Sequence, residues 1–147
     1  MTSTVPDLRL EGYRKWEGFD PFEEQTGPFY FREEGEGQFR CAFISGDQQM
    51  NCTGAMHGGA LMTFADFAMF VFARPCLTAT SAVTVSFSAD FTAAAGPGEF
   101  LESTGEVVRE TGSLIFVRGT IFRSQSTLMS FSGVLKKVRL RGDTGSC

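Results

Sequence analysis

Residues 58–74 read GGALMTFADFAMFVFAR, and their side chains repeat with the period of an α-helix. Apolar side chains cover most of the helical wheel, and the polar exceptions are Thr63 and Asp66. A helix that is apolar nearly all round is a buried helix. Pro75 ends it, because proline has no N–H to continue the hydrogen-bond ladder. The sequence therefore predicts one long helix in the interior of the protein.

Only extended segments follow this helix. Residues 83–91 alternate apolar and polar side chains with a period of two, which is typical of a half-buried strand. Turn residues then separate three further extended runs, which we expect to form an antiparallel meander of hairpins. These runs cover residues 100–109, 113–123 and 127–138. One buried helix followed by four long strands predicts an α+β fold rather than an alternating α/β fold.

Two short strands precede the helix. We place them at residues 29–31 and 39–43, on either side of the turn-rich residues 34–37. A single helix can cover only one face of the resulting sheet. Another surface must cover the other face or the edge of the sheet, so we expect the chain to form homo-oligomers.

The two ends of the chain are expected to lie outside this domain. Residues 1–28 are of mixed composition and are predicted to form an N-terminal extension packed on a domain of residues 29–141. Within the extension, aromatic residues recur at every third position over residues 13–19, which favours a short amphipathic helix. Residues 142–147 are expected to form a frayed tail.

The composition of the 147 residues argues against several classes of protein. Hydrophobic residues make up 42% and charged residues 20%, which is unlike a disordered chain or a fibre. The net charge of −4 argues against a nucleic-acid surface, which needs a basic face. The longest apolar run contains Asp66 and is too short to span a bilayer, so no membrane contact is predicted. Four cysteines without C-x-x-C spacing, and no secretory signal, predict a cytoplasmic location.

Asp66 is the residue that points most directly to chemistry. It lies too deep in the helix to cap it, and no basic side chain lies within one turn of it. A buried, unpaired carboxylate is costly and has a raised pKa. Such a group is tolerated where it faces a cleft or a partner chain, as a catalytic base or nucleophile does. The alternative is a structural carboxylate that bonds a backbone group or lies on an exposed stripe.

The segment that enters the helix, residues 51–59, contains a second candidate feature. Gly58 and Gly59 have no side chains, so another backbone or a ligand can approach the start of the helix closely. The first helical turn carries unpaired N–H groups and the positive end of the helix dipole. A thioester or ester carbonyl oxygen placed there would be polarised, as in an oxyanion hole. The alternative is that the glycines only allow tight packing of the helix on the sheet.

Other chemistries find little support in the sequence. His57 is the single histidine, which removes any multi-histidine metal site, and the scattered cysteines do not supply a metal site either. The sequence contains the residue types of a Ser-His-Asp triad, but no G-x-S-x-G motif is present. Pairing of Cys52 with His57 as a thiol dyad rests on spacing alone. Neither a Walker loop nor a dinucleotide-binding G-x-G-x-x-G occurs.

Taken together, these motifs resemble those of hotdog-fold acyl-CoA thioesterases of the phenylacetyl-CoA thioesterase-like family. The resemblance spans about residues 28–138 and rests on residues around the helix and in the strands. These are Asn51, Gly54, His57, Gly58, Gly59 and Asp66, with residues 83–87, 105–109, 112–114 and 132–137. It implies an antiparallel sheet wrapped around one long central helix. It also implies dimers that associate into homotetramers, with active sites at the dimer interface.

The resemblance further implies roles for individual residues. Asp66 would be the general base or nucleophile, and Thr84 stands where a Ser or Thr often assists the acid. The Gly58 N–H would polarise the thioester carbonyl, and His57 would hold the loop and contact the substrate. Asn51, from the neighbouring subunit, would orient water or the thioester. Further substrate contacts would fall to Gly59, Arg109, Gly112, Ser113 and Lys137.

The implied reaction is hydrolysis of acyl-CoA, with a small-to-medium or aromatic acyl group, to free acid and CoA. Because a thioester is already an activated acyl group, no metal or cofactor is required. Phe64, Phe67 and Phe70 lie near Asp66 and are candidates for lining an acyl pocket, while most of the sixteen phenylalanines are expected in the core. The alternatives are a hotdog acyl-thioester dehydratase or hydratase, and a non-catalytic module that binds acyl-CoA.

Overall fold

An antiparallel sheet wraps around one long helix. The computed structural model describes residues 6–139, so the tail predicted for 142–147 lies outside the described residues. The strands in chain order are β1 (Tyr30–Gly35), β2 (Gln38–Ile44), β3 (Ser81–Phe91), β4 (Phe100–Glu110), β5 (Leu114–Arg123) and β6 (Ser126–Val138). The α-helices in this part of the chain are α1 (Pro21–Thr26) and α2 (Gly58–Phe72). Single 3-10 turns occupy Leu8–Leu10, Asp47–Gln49 and Arg74–Cys76.

The six strands form one sheet in the order β1-β2-β4-β5-β6-β3, and every neighbouring pair is antiparallel. The last three strands are consecutive hairpins, so the predicted meander is confirmed. Register shifts in β3, β4 and β6 allow the sheet to bend around α2. This is the α+β architecture that the sequence predicts. The two edge strands are β1 and β3.

Helix α2 lies inside the curved sheet. Nine of its fifteen residues are buried, and it contacts strands from both halves of the sheet. The helix begins at Gly58, as predicted, and ends at Phe72, two residues before the predicted end, because Pro75 lies in a 3-10 turn that starts at Arg74. Within residues 6–139, no helix combines the length and the apolar character needed to cross a membrane.

Much of the phenylalanine content fills the space between α2 and the first strands. The rings of Phe29, Phe43 and Phe64 have centroids 4.7–5.3 Å apart, and the Phe67 ring lies 5.4 Å from Phe29. Phe64 is fully buried, so it belongs to the core and not to a pocket wall. Edge-to-face and tilted ring pairs of this kind stabilise a core beyond the area that they bury.

The predicted helix over residues 13–19 is wrong. Gly12 and Gly18 have positive φ angles of 80° and 105°, which break a helix on both sides. Arg14 instead exchanges two backbone hydrogen bonds with Phe31, each 2.9 Å, and the Trp16 ring packs 5.5 Å from the Phe31 ring. The spacing of the aromatic residues therefore reflects an irregular, largely extended segment laid over β1 and α2.

The helix of the extension starts later than predicted, at Pro21. The Asp20 carboxylate accepts hydrogen bonds from the Phe22 and Glu23 N–H groups at 3.1 and 3.0 Å, and Pro21 occupies the first helical position. Both features favour a helix start. The result is α1, which packs against α2.

Replacing Gly119 by Ala is expected to lower the free energy of unfolding by about 1–3 kcal/mol, because the core has no room for the added methyl group. A Cβ at this position would lie 2.8 Å from the Thr104 carbonyl oxygen and 2.6 Å from the Phe131 ring. The matched control is Gly96→Ala, whose Cβ would meet nothing within 4 Å. Urea denaturation measures both variants, and equal stability of the two would contradict this account of the packing.

Candidate active site

The carboxyl group of Asp66 is half-buried in the third turn of α2 and is held by a strand residue. The Thr84 hydroxyl, on β3, donates a hydrogen bond of 2.6 Å to Asp66 Oδ1. Burial raises the pKa of Asp66, the Thr84 hydrogen bond opposes this rise, and the nearby Asp20 carboxylate adds to it. In the described part of the chain no donor contacts Asp66 Oδ2, so this oxygen is available for chemistry.

Two clefts open onto Asp66, and the N-terminal segment forms a wall of each. One, of about 460 Å³, is lined by Trp16, Glu17, Gly18, Phe19, Asp20, Glu23, Asp66, Phe67, Phe70 and Ala82. The other, of about 390 Å³, is lined by Asp20, Phe22, Glu23, Met62, Thr63, Asp66 and Phe87. Of the three phenylalanines proposed as pocket walls, Phe67 and Phe70 line a cleft, whereas Phe64 does not. The site of Asp66 is therefore a mixed apolar and acidic crevice.

The start of α2 leaves one backbone donor unoccupied. His57 is the N-cap, and its Nδ1 accepts a 2.9 Å hydrogen bond from the Gly59 N–H. The His57 N–H itself donates to the Gln49 carbonyl at 2.8 Å. Among residues 6–139 no acceptor lies within hydrogen-bond distance of the Gly58 N–H. The two glycines therefore differ in their amides. The Gly59 N–H is bound by the N-cap side chain, whereas the Gly58 N–H is free to bind an oxyanion.

The hydrogen bond to Gly59 also determines the state of the His57 ring. Because Nδ1 is an acceptor, the neutral ring carries its proton on Nε2. His57 can therefore donate to a ligand through Nε2, but its other nitrogen is already in use.

The side chain of Asn51 organises the loop before α2. Its Oδ1 accepts hydrogen bonds from the Thr53 N–H (2.9 Å), the Thr53 hydroxyl (2.7 Å) and the Ala55 N–H (3.2 Å). This is an Asx-type turn, in which the side chain takes the place of a backbone acceptor. Only the Nδ2 amide group of Asn51 is left for contacts outside the loop, so the role predicted for this residue rests on that group.

The remaining candidate residues lie at one end of the sheet. Gly112 and Ser113 form the β4–β5 turn, and the Lys137 N–H donates to the Ser113 carbonyl at 2.8 Å. The Lys137 Nζ is ion-paired with the Glu110 carboxylate at 2.5 Å. The structure therefore brings Gly112, Ser113 and Lys137 together, with Arg109 exposed on the adjoining end of β4.

Two residues with a part in the site were missed by sequence reasoning. Gln49 is 3% exposed, and its Nε2 donates to the Thr26 and Gly27 carbonyls at 2.5 and 3.3 Å. Because its own carbonyl accepts from His57, Gln49 connects the end of α1 to the start of α2. A glutamine in a loop gives no periodic signal, so only the fold reveals this role.

Glu23 is the second missed residue. Burial, the Asp20 carboxylate and the Asp66 carboxylate together raise the pKa of Glu23 to about 7. The signal that was available is the D-x-x-E spacing of Asp20 and Glu23, which is typical of a helix start and places Glu23 within the first turn. That spacing predicts α1 but not the direction in which Glu23 points.

Comparison with known proteins identifies the family. The model of the Thioesterase superfamily matches residues 53–130, and the chain belongs to this family. It is a thioester hydrolase with the hotdog fold, which confirms the resemblance drawn from the sequence. No group of three His, Cys, Asp or Glu side chains in the described part of the chain is placed to hold a metal ion.

Individual relatives agree with this assignment. A candidate esterase of Pseudomonas aeruginosa is 27% identical over 125 residues, which cover 84% of this chain and 93% of the relative. A Bacillus halodurans protein crystallised with CoA is 26% identical, with a TM-score of 0.68 over 76% of this chain and 74% of that one. The PaaI protein from the phenylacetic acid degradation operon of E. coli is 21% identical, with a TM-score of 0.72 over 81% and 85%, and shows the shared fold.

Replacing Asp66 by Asn is expected to stabilise the fold near neutral and alkaline pH. Because burial raises the folded-state pKa of Asp66 above its ordinary value of 3.8, this carboxyl favours folding at low pH, and that contribution is lost as the pH rises through the folded-state pKa. Asn cannot ionise, so we expect a gain of about 0.5–2 kcal/mol at about pH 8 that shrinks as the pH falls.

Urea denaturation at about pH 8 and about pH 5 measures this difference. The control is Asp90→Asn, the same change at an exposed position on β3. Loss of stability at the higher pH, or a gain that does not depend on pH, would contradict the proposed cost of ionising Asp66.

Proposed function

We propose that the protein hydrolyses acyl-CoA thioesters to a free acid and CoA. The observation that carries this proposal is the carboxyl of Asp66, which Thr84 holds in a cleft with one oxygen free. A carboxylate in an apolar site is a stronger base than one in water, and it can accept a proton from water or attack a carbonyl carbon itself. In both routes Oδ2 is the reacting oxygen, because Oδ1 is occupied by Thr84.

The free N–H of Gly58 supplies the complementary group. It lies at the positive end of the α2 dipole, where it would donate to the thioester oxygen as negative charge develops there. Once water or Oδ2 has bonded to the carbonyl carbon, the bond from this carbon to sulfur breaks, and CoA leaves as a thiolate that takes up a proton. In the direct route, water then hydrolyses the acyl anhydride on Oδ2, which releases the free acid and restores Asp66. His57 positions this amide through the hydrogen bond to Gly59, and its Nε2–H is free to contact the substrate.

One chain cannot bring both groups to the same thioester. Gly58 and Asp66 are eight residues apart on one helix, which separates them by about 12 Å along its axis. A carbonyl bond is only about 1.2 Å long, so a complete site needs Asp66 from one chain and Gly58 from a second. Strand β3 supports such a dimer, because it pairs on one side only and exposes Val83 and Val85. We also propose that these dimers associate into homotetramers and that the protein is located in the cytoplasm.

The CoA part of the substrate is proposed to lie at the basic end of the sheet. The relative from Bacillus halodurans was crystallised with CoA, which supports binding of the same molecule here. Gly112 and Ser113 offer backbone groups at the β4–β5 turn, and Arg109 offers positive charge to phosphates. Lys137 would contribute its charge by exchanging the Glu110 carboxylate for a phosphate. Asn51 Nδ2 and Gly59 are assigned to the thioester end of the same substrate.

A dehydratase or hydratase is less well supported by the site. Such an enzyme would need the single histidine to take a proton from the substrate. The neutral His57 ring has no free basic nitrogen for this step, because Nδ1 accepts from Gly59 and Nε2 carries the proton. A non-catalytic module that binds acyl-CoA is distinguished from an enzyme by turnover.

Purified protein is expected to release CoA from at least one member of a panel of acyl-CoA substrates, as measured with a thiol reagent. Asp66→Asn should lower kcat by about 10²–10⁴-fold, because it removes the base or nucleophile. Asp90→Asn is the control and should retain activity. Tight binding of acyl-CoA without release, or full activity of Asp66→Asn, would contradict the proposal.

Gly58→Pro is expected to lower kcat by about 10²–10³-fold, because proline lacks the N–H that polarises the carbonyl. Proline is favoured at the first position of a helix, and His57 already has the extended backbone (φ −63°, ψ 134°) that a following proline needs. The control is Gly58→Ala, which keeps the N–H and adds a methyl group 3.2 Å from the movable Phe91 ring.

Co-expressed Gly58→Pro and Asp66→Asn chains should recover about one quarter of the wild-type rate, since half of the dimers are mixed and each mixed dimer keeps one intact site. Failure to recover activity in proven mixed dimers would show that one chain supplies both groups.

A further inference from the structure

We propose that Glu23 is a specificity-determining residue, which makes the acyl side of the cleft accept uncharged acyl groups and reject acyl groups that end in a carboxylate. This inference rests on the proposed function, because it concerns the acyl group of the same substrate.

All the charged side chains that line the two clefts are acidic. Asp20, Glu23 and Asp66 line both clefts, and Glu17 adds a fourth carboxyl to the larger one. Neither cleft has a Lys or Arg among its lining residues in the part of the chain that the structure describes. The other walls are mainly aromatic and aliphatic side chains, which bind a hydrocarbon group well. A second carboxylate entering this crevice would lose water and gain no cation.

Glu23 is the acid best placed to exert this effect. Asp66 is assigned to the reaction itself, and Asp20 is committed to the cap of α1 through two backbone hydrogen bonds. Glu23 has no hydrogen-bond or ion-pair partner for its carboxylate within residues 6–139, and it is half-buried beside Asp66. Its charge is therefore not neutralised by a neighbour and acts directly on what enters the cleft.

The surroundings hold Glu23 in position. The Glu23 carbonyl accepts from the Gly27 N–H at 2.6 Å, and the buried Gln49 side chain binds the Thr26 and Gly27 carbonyls that end α1. The Lys15 ammonium lies near this helix, but it is paired with Glu24 at 2.8 Å. These bonds fix α1 as a wall of the cleft and hold the Glu23 backbone beside Asp66.

The selectivity should depend on pH. The charged groups that face Glu23 are Asp20 at the cap of α1, Glu24 with its partner Lys15, and Asp66 on α2. Burial and the three carboxyls raise the pKa of Glu23 to about 7. Glu23 is mostly neutral below this pH and mostly ionised above it. Rejection of a carboxylated acyl group should therefore strengthen as the pH rises through about 7.

The test compares kcat/KM for hexanoyl-CoA and adipoyl-CoA, which differ in a terminal methyl or carboxylate group. Wild-type protein should favour hexanoyl-CoA, and Glu23→Gln should reduce the ratio of the two kcat/KM values by about tenfold at about pH 8. The matched control is Glu36→Gln, which removes the same charge at an exposed turn position outside both clefts of Asp66 and should keep the wild-type ratio. Glu23→Lys should reduce the ratio further than Glu23→Gln.

An unchanged ratio in Glu23→Gln, or an equal change in Glu36→Gln, would overturn the proposal while leaving the thioesterase function intact. If Glu23→Gln does not fold, the pH dependence of the wild-type protein is the test. The ratio of kcat/KM for hexanoyl-CoA to kcat/KM for adipoyl-CoA should rise between about pH 6 and about pH 8. A ratio that does not change with pH would overturn the proposal. If wild-type protein hydrolyses no acyl-CoA at all, the proposed function fails, and the inference fails with it.

Discussion

Helix α2 has to be buried on nearly all sides, and yet it carries a carboxyl group. The six larger of its nine buried side chains each contribute on the order of 1.5–3 kcal/mol by leaving water, and this gain outweighs the cost of a single half-buried acid. The sheet covers most of the helix by bending at the register shifts of β3, β4 and β6. The part of α2 that the sheet leaves open is the part that bears Asp66, so the position of the site is a consequence of how the helix is covered.

The elements with a strong period could be predicted from the sequence. The apolar wheel of residues 58–74 marks α2, and the alternation in residues 83–91 marks β3, because both patterns reflect burial in the final fold. The extension could not be predicted in the same way. Its aromatic residues at every third position also suit a helix. The actual conformation depends on the positive φ angles at Gly12 and Gly18 and on the pairing of Arg14 with Phe31. These features are set by contacts with distant residues, which a local sequence pattern does not show.

The candidate site shows the same division. Asp66 could be singled out because a carboxylate on an apolar helix breaks the pattern of its neighbours, and Gly58 could be found because it lies at the start of that helix. The sequence could not say which glycine keeps a free amide, since that depends on the ring of His57. Gln49 and Glu23 were missed because their roles arise from the packing of α1 on α2.

The N-terminal extension then takes on a meaning that its composition hides. Acidic residues in an extension are ordinarily solvated, but here the cap at Asp20 and the bonds from Gln49 fix a short helix over the cleft. Burial, with a further contribution from the Asp20 carboxylate, raises the pKa of Asp66 and so makes it a stronger base than an exposed aspartate. The same two causes, burial and neighbouring carboxylates, raise the pKa of Glu23. A crevice of this kind is unfavourable for any further anion, and the acyl selectivity proposed for Glu23 rests on this cost.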